Sequence, residues 1–358
     1  MIRSVKVASP LNKGKLEQVY QFLETYQNCV NYFIARLWSE QKFDGKYLER
    51  EYIEDAKQRF NLTTRLIQCA GKQAFEIVKS QRRKSRRQRR MPRFKEFNAN
   101  LDSRFWEITE QSNSFEWLKL QSGFTFHLPF NKTKIWNKWA DRGFSLSKSI
   151  RLFIRKGRLF IEFLFEKETP KPKTEGAVEG LDLGYVNLAV CSNGQVVGGK
   201  MNGYIKSFAK REKHTHKQIE QKSFHELKGL DLSGTKTLVI ENLKHVKSKT
   251  RKRKMFSRSH NRHLSHWLYA EVIKWLEQRC EEQKVQLVRV SPWKTSQFCR
   301  FCGNWDRRNR RGDRFKCVHC GHEEQADSNA SQNLKLLGLA GVYSLRLLQP
   351  HLGHLATE

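Results

Sequence analysis

Acid is scarce in this sequence. Its 358 residues carry 36 Asp and Glu against 68 Lys and Arg, a formal charge of +32. That deficit excludes an ordinary near-neutral enzyme surface and predicts a polyanionic partner, because each phosphate neutralised releases condensed counterions. Long apolar runs are lacking as well: no stretch approaches the roughly 18 residues that span a bilayer, and the first residues have no signal-peptide core. No membrane association is expected, and the reading is a cytosolic protein, or a nuclear one in a eukaryotic host. Internal repeats and low-complexity tracts are missing. The length suits two or three domains with sizeable cores. Four of the eight cysteines, Cys29, Cys69, Cys191 and Cys280, stand singly in apolar or helical contexts. They read as buried reduced thiols, and a disulfide framework is not expected.

What is present starts with a strand pattern in residues 1–10, where Ile2, Val5 and Val7 alternate. From Leu16 to Leu37 apolar residues recur at three and four, as on an amphipathic helix, and Leu62–Val78 gives another. That helix runs into Gln81–Arg90, which holds Lys84 and six arginines, Arg82, Arg83, Arg86, Arg87, Arg89 and Arg90, without one acid. A charge run is usually a solvated face or a loose arm; in so basic a chain it is a candidate phosphate contact. Beyond Met91 the texture turns to short β-rich stretches at 115–120, 124–128, 150–155 and 158–165, the last two joined by Lys156-Gly157 as a hairpin. These predict a small barrel, completed by the N-terminal strand. Thr169-Pro170-Lys171-Pro172-Lys173-Thr174 reads as a linker, and the remainder as one α/β unit with insertions.

Three carboxylates then stand out. Asp182 lies within the apolar strand 178–191, with Gly180 and Gly184 two residues to either side. A buried carboxylate there costs several kcal/mol unless paired or metal-bound, and the glycines predict room for a cation or phosphate to approach. Glu241 ends the apolar run Thr237–Ile240, and Asp327 opens a helix whose apolar face is Ala330, Leu334 and Leu337. Each acid alone has a plain reading as a cap or surface group. Together they suit hard divalent cations such as Mg²⁺ or Mn²⁺, and a pair of such ions assists phosphodiester cleavage.

Between the second and third acids lies Cys299-x2-Cys302, fourteen residues, then Cys317-x2-Cys320. Four thiolates at this spacing complete a tetrahedral Zn²⁺ site with no open position for catalysis, leaving His319 and His322 superfluous as ligands. Arg307, Arg308, Arg310, Arg311 and Arg314 sit on the loop of this knuckle, and Arg308 and Arg311 are taken as nucleic-acid contacts. A second basic run, Lys247–Lys254, contributes Lys249, Arg251 and Arg253 to the same expectation. An amphipathic helix follows from about Leu264 to Gln283.

Gly180-Leu181-Asp182-Leu183-Gly184, Val239-Ile240-Glu241-Asn242-Leu243, Pro292–Cys299 and Asp327–Leu334 resemble motifs of the TnpB (OrfB) family, insertion-sequence proteins related to miniature type V CRISPR effectors. The resemblance is strong across 176–338 and looser over 1–170. It implies an α/β multidomain fold in which a RuvC-like (RNase H-like) nuclease domain, residues 176–291 and 324–340, carries Asp182, Glu241 and Asp327 as its metal-binding triad. It also implies a zinc-binding target-nucleic-acid insertion at 292–323, a β-barrel wedge at 1–10 and 91–168, and a helical recognition lobe at 11–90. A linker at 169–175 and a tail at 341–358 complete the division. The implied activity is RNA-guided cleavage of target DNA next to a short motif, with pairing choosing the sequence. The implied partners are a guide RNA, target DNA and, functionally, a separate transposase, in a prokaryotic cytoplasm at the nucleoid. Guide-independent cleavage by a RuvC-like nuclease or transposase, and RNA-guided binding without cleavage, remain as alternatives. One departure from the family is the 59-residue spacing between Asp182 and Glu241, with residues 200–230 reading as short, polar and turn-rich.

Overall fold

The computed structural model describes residues 1–40, 50–110, 116–121, 125–184, 186–199, 201–209, 215–243 and 269–347. Two compact units divide the chain, Met1–Glu168 and Thr169–Glu358.

In the first unit, strand β1 (Ile2–Ser9) buries every second residue, Val5 and Val7 among them. Helix α1 (Lys13–Ser39) starts where the Asn12 side chain accepts from the Lys15 amide at 2.8 Å, a standard cap. Its apolar stripe, including Leu23, Tyr26, Val30, Phe33 and Leu37, is fully buried. Helix α2 (Arg50–Phe60) follows, then α3 (Thr64–Arg82), capped by Thr63. Strands β2 (Asn98–Asp102), β3 (Trp106–Glu110), β4 (Glu116–Gln121) and β5 (Thr125–Phe130) precede the short helix α4 (Lys134–Asp141). Strands β6 (Ser145–Arg155) and β7 (Arg158–Glu166) form the expected hairpin, turning on Lys156 and Gly157 at φ of 50° and 70°. All pairings are antiparallel, in two sheets ordered β1-β7-β6-β2 and β3-β4-β5. Trp136 packs edge-on against Phe163 and Phe165, each at 4.9 Å, so these aromatics are core.

The second unit is built on a mixed sheet. Strands β8 (Ala177–Asp182), β9 (Ala189–Cys191) and β10 (Val196–Val197) are followed by helices α5 (Met201–Ala209) and α6 (Thr215–Leu227). Strand β11 (Thr235–Glu241), helix α7 (Tyr269–Gln283) and strand β12 (Gln286–Val290) come next. A small ribbon of β13 (Arg310–Arg311), β14 (Arg314–Lys316) and β15 (Glu323–Gln325) leads directly into helix α8 (Ala326–Ala340). The main sheet runs β10-β9-β8-β11-β12, with β11 parallel to both β8 and β12. Alternation sorts its two faces. Val239 and Val290 pack with Leu334 and Leu337 of α8; Leu181, Leu238 and Ile240 pack with Ile219, Val272 and Leu276 on the other side. The described residues of 200–230 are therefore not turn-rich: α5 and α6 account for most of them, and Met201, Ile205, Ile219 and Leu227 are buried. Among the described residues, no helix is long and apolar enough to cross a membrane.

Gly180 serves a purpose other than the one expected of it. A Cβ at this position would meet the Ser331 carbonyl oxygen at 2.0 Å, the Lys335 nitrogen at 2.5 Å and the Leu334 Cβ at 2.8 Å. The room it leaves is occupied by helix α8, not by a cation. Gly338 answers from the helix side, where a Cβ would fall 2.4 Å from Val239. A Cβ at Gly184 would fall 2.8 Å from the Asn187 carbonyl oxygen, so this glycine serves the close approach of the following turn. Two glycines, one on strand and one on helix, thus set how closely α8 lies on the sheet. Because the clash is with backbone, Gly180→Ala is expected to destabilise the chain by about 3 kcal/mol, read as a lower melting temperature. An unchanged midpoint would show that the helix lies farther off.

Candidate functional site

The register places the acids. Ile240 pairs with Leu181, so Glu241 and Asp182 end two neighbouring parallel strands at the same edge and on the same face. That face is covered by α8, whose second residue is Asp327. Gln325 caps this helix by accepting from the Ser328 amide at 2.7 Å. Three acids distant in sequence therefore gather at strand C-termini and a helix N-terminus, where a doubly covered sheet leaves a crevice for ligands.

Their electrostatics fit a cation-binding cluster. Burial, then the charges of Glu241 and Asp327, push the Asp182 carboxyl well above the usual range, and Arg310 opposes them. Burial raises Glu241 as well, against the Thr295 hydroxyl and Arg310. Buried carboxylates that repel one another would be relieved by divalent positive charge, and an all-oxygen donor set suits a hard ion. The contrast with Glu179 is instructive. It lies three residues earlier and is only 5% exposed, yet the Ser192 hydroxyl and Lys335 partner it, so its charge is satisfied structurally. Among the described residues, only the four cysteines bring three or more ligand atoms all within 4.8 Å of one another; the three carboxylates are more widely spread.

Glu241 and Asp327 each also have a polar neighbour. The Thr295 hydroxyl, buried with its residue at 2% exposure, donates to Glu241 Oε1. Asn187 Nδ2 donates to Asp327 Oδ2 at 3.2 Å. Arg310 Nη2 lies 3.3 Å from Asp327 Oδ1, with Asp327 only 13% exposed at its side chain. The Tyr269 hydroxyl donates to the Glu241 carbonyl at 2.6 Å and accepts from the Leu243 amide at 3.2 Å, tying off the end of β11.

The cysteines form the second cluster. Cys299 and Cys320 sulfurs lie 3.6 Å apart and those of Cys302 and Cys317 3.5 Å apart. Sulfurs on a tetrahedron with zinc–sulfur bonds near 2.3 Å stand about 3.8 Å apart, so the four sit as zinc ligands would. Burial pushes the Cys299 and Cys302 thiols up, an electrostatic cost that a bound dication removes. His322 lies against Phe301, with ring centroids 4.2 Å apart and planes tilted by 57°, and meets Glu324 rather than completing the set. Cys29, Cys191 and Cys280 are buried free thiols and Cys69 is half-buried; burial lifts Cys29 and Cys280 to about 12, so neither is a nucleophile at neutral pH.

The ribbon and the acid cluster are mechanically joined. Asn329 Nδ2 donates to the Phe298 carbonyl at 3.0 Å, and Asn333 Nδ2 to those of Thr295 and Phe298 at 2.8 Å each. Both amides are fully buried, one turn apart on α8. They fasten the segment that contains Thr295 to the helix that carries Asp327.

The basic candidates divide. Arg83, Arg87, Arg89 and Arg90 are exposed, as a phosphate contact requires. Arg86 falls in a single 3-10 turn. Arg82 is a correction to the reading of that run as one charged arm: its guanidinium donates to the Leu37, Trp38 and Glu40 carbonyls at 2.9–3.1 Å, closing the end of α1. Arg311 is exposed, while Arg308 is partnered with Asp306 at 2.8 Å. Lys249, Arg251 and Arg253 lie outside the described residues. Arg310, which the sequence offers only as one arginine among five, is the one that reaches the acids. Thr295, Asn187, Asn329 and Asn333 carry no individual signal in the sequence either.

Residues 269–334 match the family model for the Cas12f1-like TNB domain. A CRISPR-associated endodeoxyribonuclease Cas12f1 from Sulfoacidibacillus thermotolerans is 38% identical over 77 residues, which are 21% of this chain and 18% of that relative. The solved Cas12f1–sgRNA–target DNA complex superposes over 90% of this chain and 83% of that one, with 16% identity and a TM-score of 0.54. The mini-RNA-guided endonuclease CRISPR-Cas_phi3 superposes over 96% and 93%, with 9% identity and the same score of 0.54. The matching segment is thus a small part of the curated relative, while the fold is shared across nearly the whole chain. Over residues 269–334 the chain is similar in sequence to Cas12f1, and over most of its length it shares the fold of the solved Cas12f1 and CRISPR-Cas_phi3 structures.

Proposed function

We propose that this chain is an RNA-guided DNA endonuclease of the TnpB type, cutting target strands by RuvC-type, two-metal hydrolysis at Asp182, Glu241 and Asp327. The observation that carries the proposal is the gathering of these three acids, two of them raised by burial, on one edge of a mixed sheet under α8. Glu179 has a cation of its own in Lys335, whereas these three acids share the single guanidinium of Arg310, which leaves negative charge for a divalent cation to offset. The magnitude of the basic surplus, +32, supplies the rest of the argument, since a guide RNA and a DNA target are both polyanions.

In this reading Asp182, Glu241 and Asp327 hold two Mg²⁺ or Mn²⁺ ions. Such ions, when bound, stabilise the charge on the attacking and leaving oxygens of the phosphodiester. The chain's own groups do the positioning. Thr295 fixes the rotamer of Glu241, Asn187 that of Asp327, and Arg310 presents a guanidinium beside Asp327 that suits a phosphate oxygen. The zinc ribbon does no chemistry; it delivers Thr295 and Arg310. Within this scheme residues 176–291 and 324–340 form the RuvC-like domain and 292–323 its zinc-binding insertion. The two antiparallel sheets of the first unit serve as a barrel-like wedge, and α1 to α3 as the recognition lobe, with Arg83, Arg86, Arg87, Arg89 and Arg90 against nucleic-acid phosphates.

The test is programmed cleavage. Protein with its native guide RNA and Mg²⁺ is expected to cut DNA matched to the guide and to spare DNA scrambled in that region. Equal cutting of both, or cutting by RNA-free protein, would overturn guide dependence.

A further inference from the structure

Beside the acid cluster, the flank of the zinc ribbon carries a cation–aromatic stack that the nuclease site does not use. Trp305 is 39% exposed, and its ring meets Trp293 edge-on with centroids 5.5 Å apart at 64°. Lys294 Nζ lies 4.2 Å from the Trp305 centroid, and the Arg346 guanidinium 4.7 Å from that of Trp293. Trp293 is partly buried against the cluster of Val239, Val290 and Leu334, so Trp305 is the open ring of the pair, and a large aromatic left open on a highly charged surface is informative where single exposed leucines are not. The backbone adds a second observation. Lys294 sits in the left-handed region at φ 59°, a conformation that costs a lysine on the order of 1 kcal/mol. The Gln297 and Phe298 amides, donating to the Lys294 carbonyl at 2.8 and 2.9 Å, hold that turn in place. The acid adjoining Trp305 in sequence, Asp306, is engaged by Arg308 at 2.8 Å, and Arg346 is exposed. Its place in the chain is the third observation: the residue after Lys294 is Thr295, which holds Glu241.

We infer that Trp305, backed by Trp293 and flanked by Lys294 and Arg346, is a stacking platform for unpaired bases of the DNA strand presented to Asp182, Glu241 and Asp327. The inference rests on the endonuclease reading for the identity of that strand. Every nucleobase offers a π face, so an indole platform accepts any sequence, and the two cations supply contact to the adjoining phosphates. Bases inside a duplex are stacked on each other and cannot use it. The platform therefore favours single strands and gives a strand a fixed handhold next to the acids.

Binding of labelled oligothymidylate and of an abasic oligodeoxynucleotide of equal length, with Ca²⁺ in place of Mg²⁺, separates base contact from phosphate contact. The intact chain is expected to favour the base-bearing oligonucleotide by about tenfold per stacked base. Trp305→Ala should remove most of that preference while Trp305→Phe keeps it, and neither should change the slope of affinity against salt, because no phosphate contact is lost. Zinc content equal to that of the unaltered chain shows that the ribbon is folded in both variants. An unchanged preference in Trp305→Ala overturns the inference, as does a Trp305-dependent preference for RNA over DNA. Since the assay reads binding alone, a chain that shows the preference but never cuts would overturn the nuclease reading and leave the platform standing.

Discussion

Asp182→Ala is expected to lower the rate of guided DNA cleavage by about three orders of magnitude while leaving guide and target binding within a few-fold. The expectation follows from position. Asp182 lies in the register between β9 and β11, with its charge coupled to both other acids. Loss of a metal-bearing carboxylate forfeits several kcal/mol of charge stabilisation, and each ~1.4 kcal/mol is tenfold in rate. A variant that cuts within tenfold of the original would place the chemistry elsewhere. The isosteric Asp182→Asn adds a pH test. Because burial and its neighbours raise the Asp182 carboxyl, the folded chain keeps that proton to higher pH than the unfolded chain does. The contribution of Asp182 to metal-free stability is thus fully present below the ordinary carboxyl range, about pH 4, and is lost as pH rises through the folded-state value. The asparagine variant escapes that penalty. Its melting temperature without divalent cations should exceed that of the unaltered chain at pH 7, with the gap closing toward pH 4. A constant gap would contradict the raised carboxyl.

Removing zinc is the second large effect. The Cys299, Cys302, Cys317 and Cys320 sulfurs close around one point, and the ribbon strands are only two or three residues long. A core of Phe315, Ala326 and the cysteines is too small to hold such strands unaided. Structural zinc contributes about 10–16 kcal/mol in isolated fingers, and a larger unit stands to lose a comparable share locally. Cys317→Ser, or a strong chelator, is expected to unfold the ribbon and abolish cleavage even though no cysteine touches an acid. The path is explicit: Thr295 leaves Glu241, Arg310 leaves Asp327, and Asn329 and Asn333 lose the carbonyls they bond. Metal analysis should find one zinc per chain beforehand. Full cleavage by zinc-free protein would uncouple ribbon from site.

The acids and cysteines could be read from the sequence because their signals are local. A carboxylate inside Val178–Cys191 or at the end of Thr237–Ile240 contradicts its apolar surroundings, and Cys-x2-Cys pairs have few other uses. The helices of the first unit showed through their three-and-four spacing, and the Lys156-Gly157 hairpin through its turn residues. What escaped depends on tertiary placement. Arg310 differs from Arg308 and Arg311 only in pointing from β13 toward Asp327. Gly180 has the same sequence context whether it admits a cation or a helix; only the placement of α8, whose Ser331 carbonyl would lie 2.0 Å from a Cβ there, decides. Helices α5 and α6 were read as turns because their apolar stripes are thin, resting on residues such as Ile205, Ile219 and Leu227 among polar neighbours. Arg82 looked like one more free charge until its carbonyl partners at the end of α1 were in view.

The most direct test of the acid cluster needs neither guide nor target. Mn²⁺ binding to the zinc-loaded chain, followed by titration calorimetry or by loss of the free-ion paramagnetic signal, reports whether Asp182, Glu241 and Asp327 hold a divalent cation. Saturable binding that disappears in Asp182→Ala is the predicted result; identical binding by the two proteins would contradict the account at its centre.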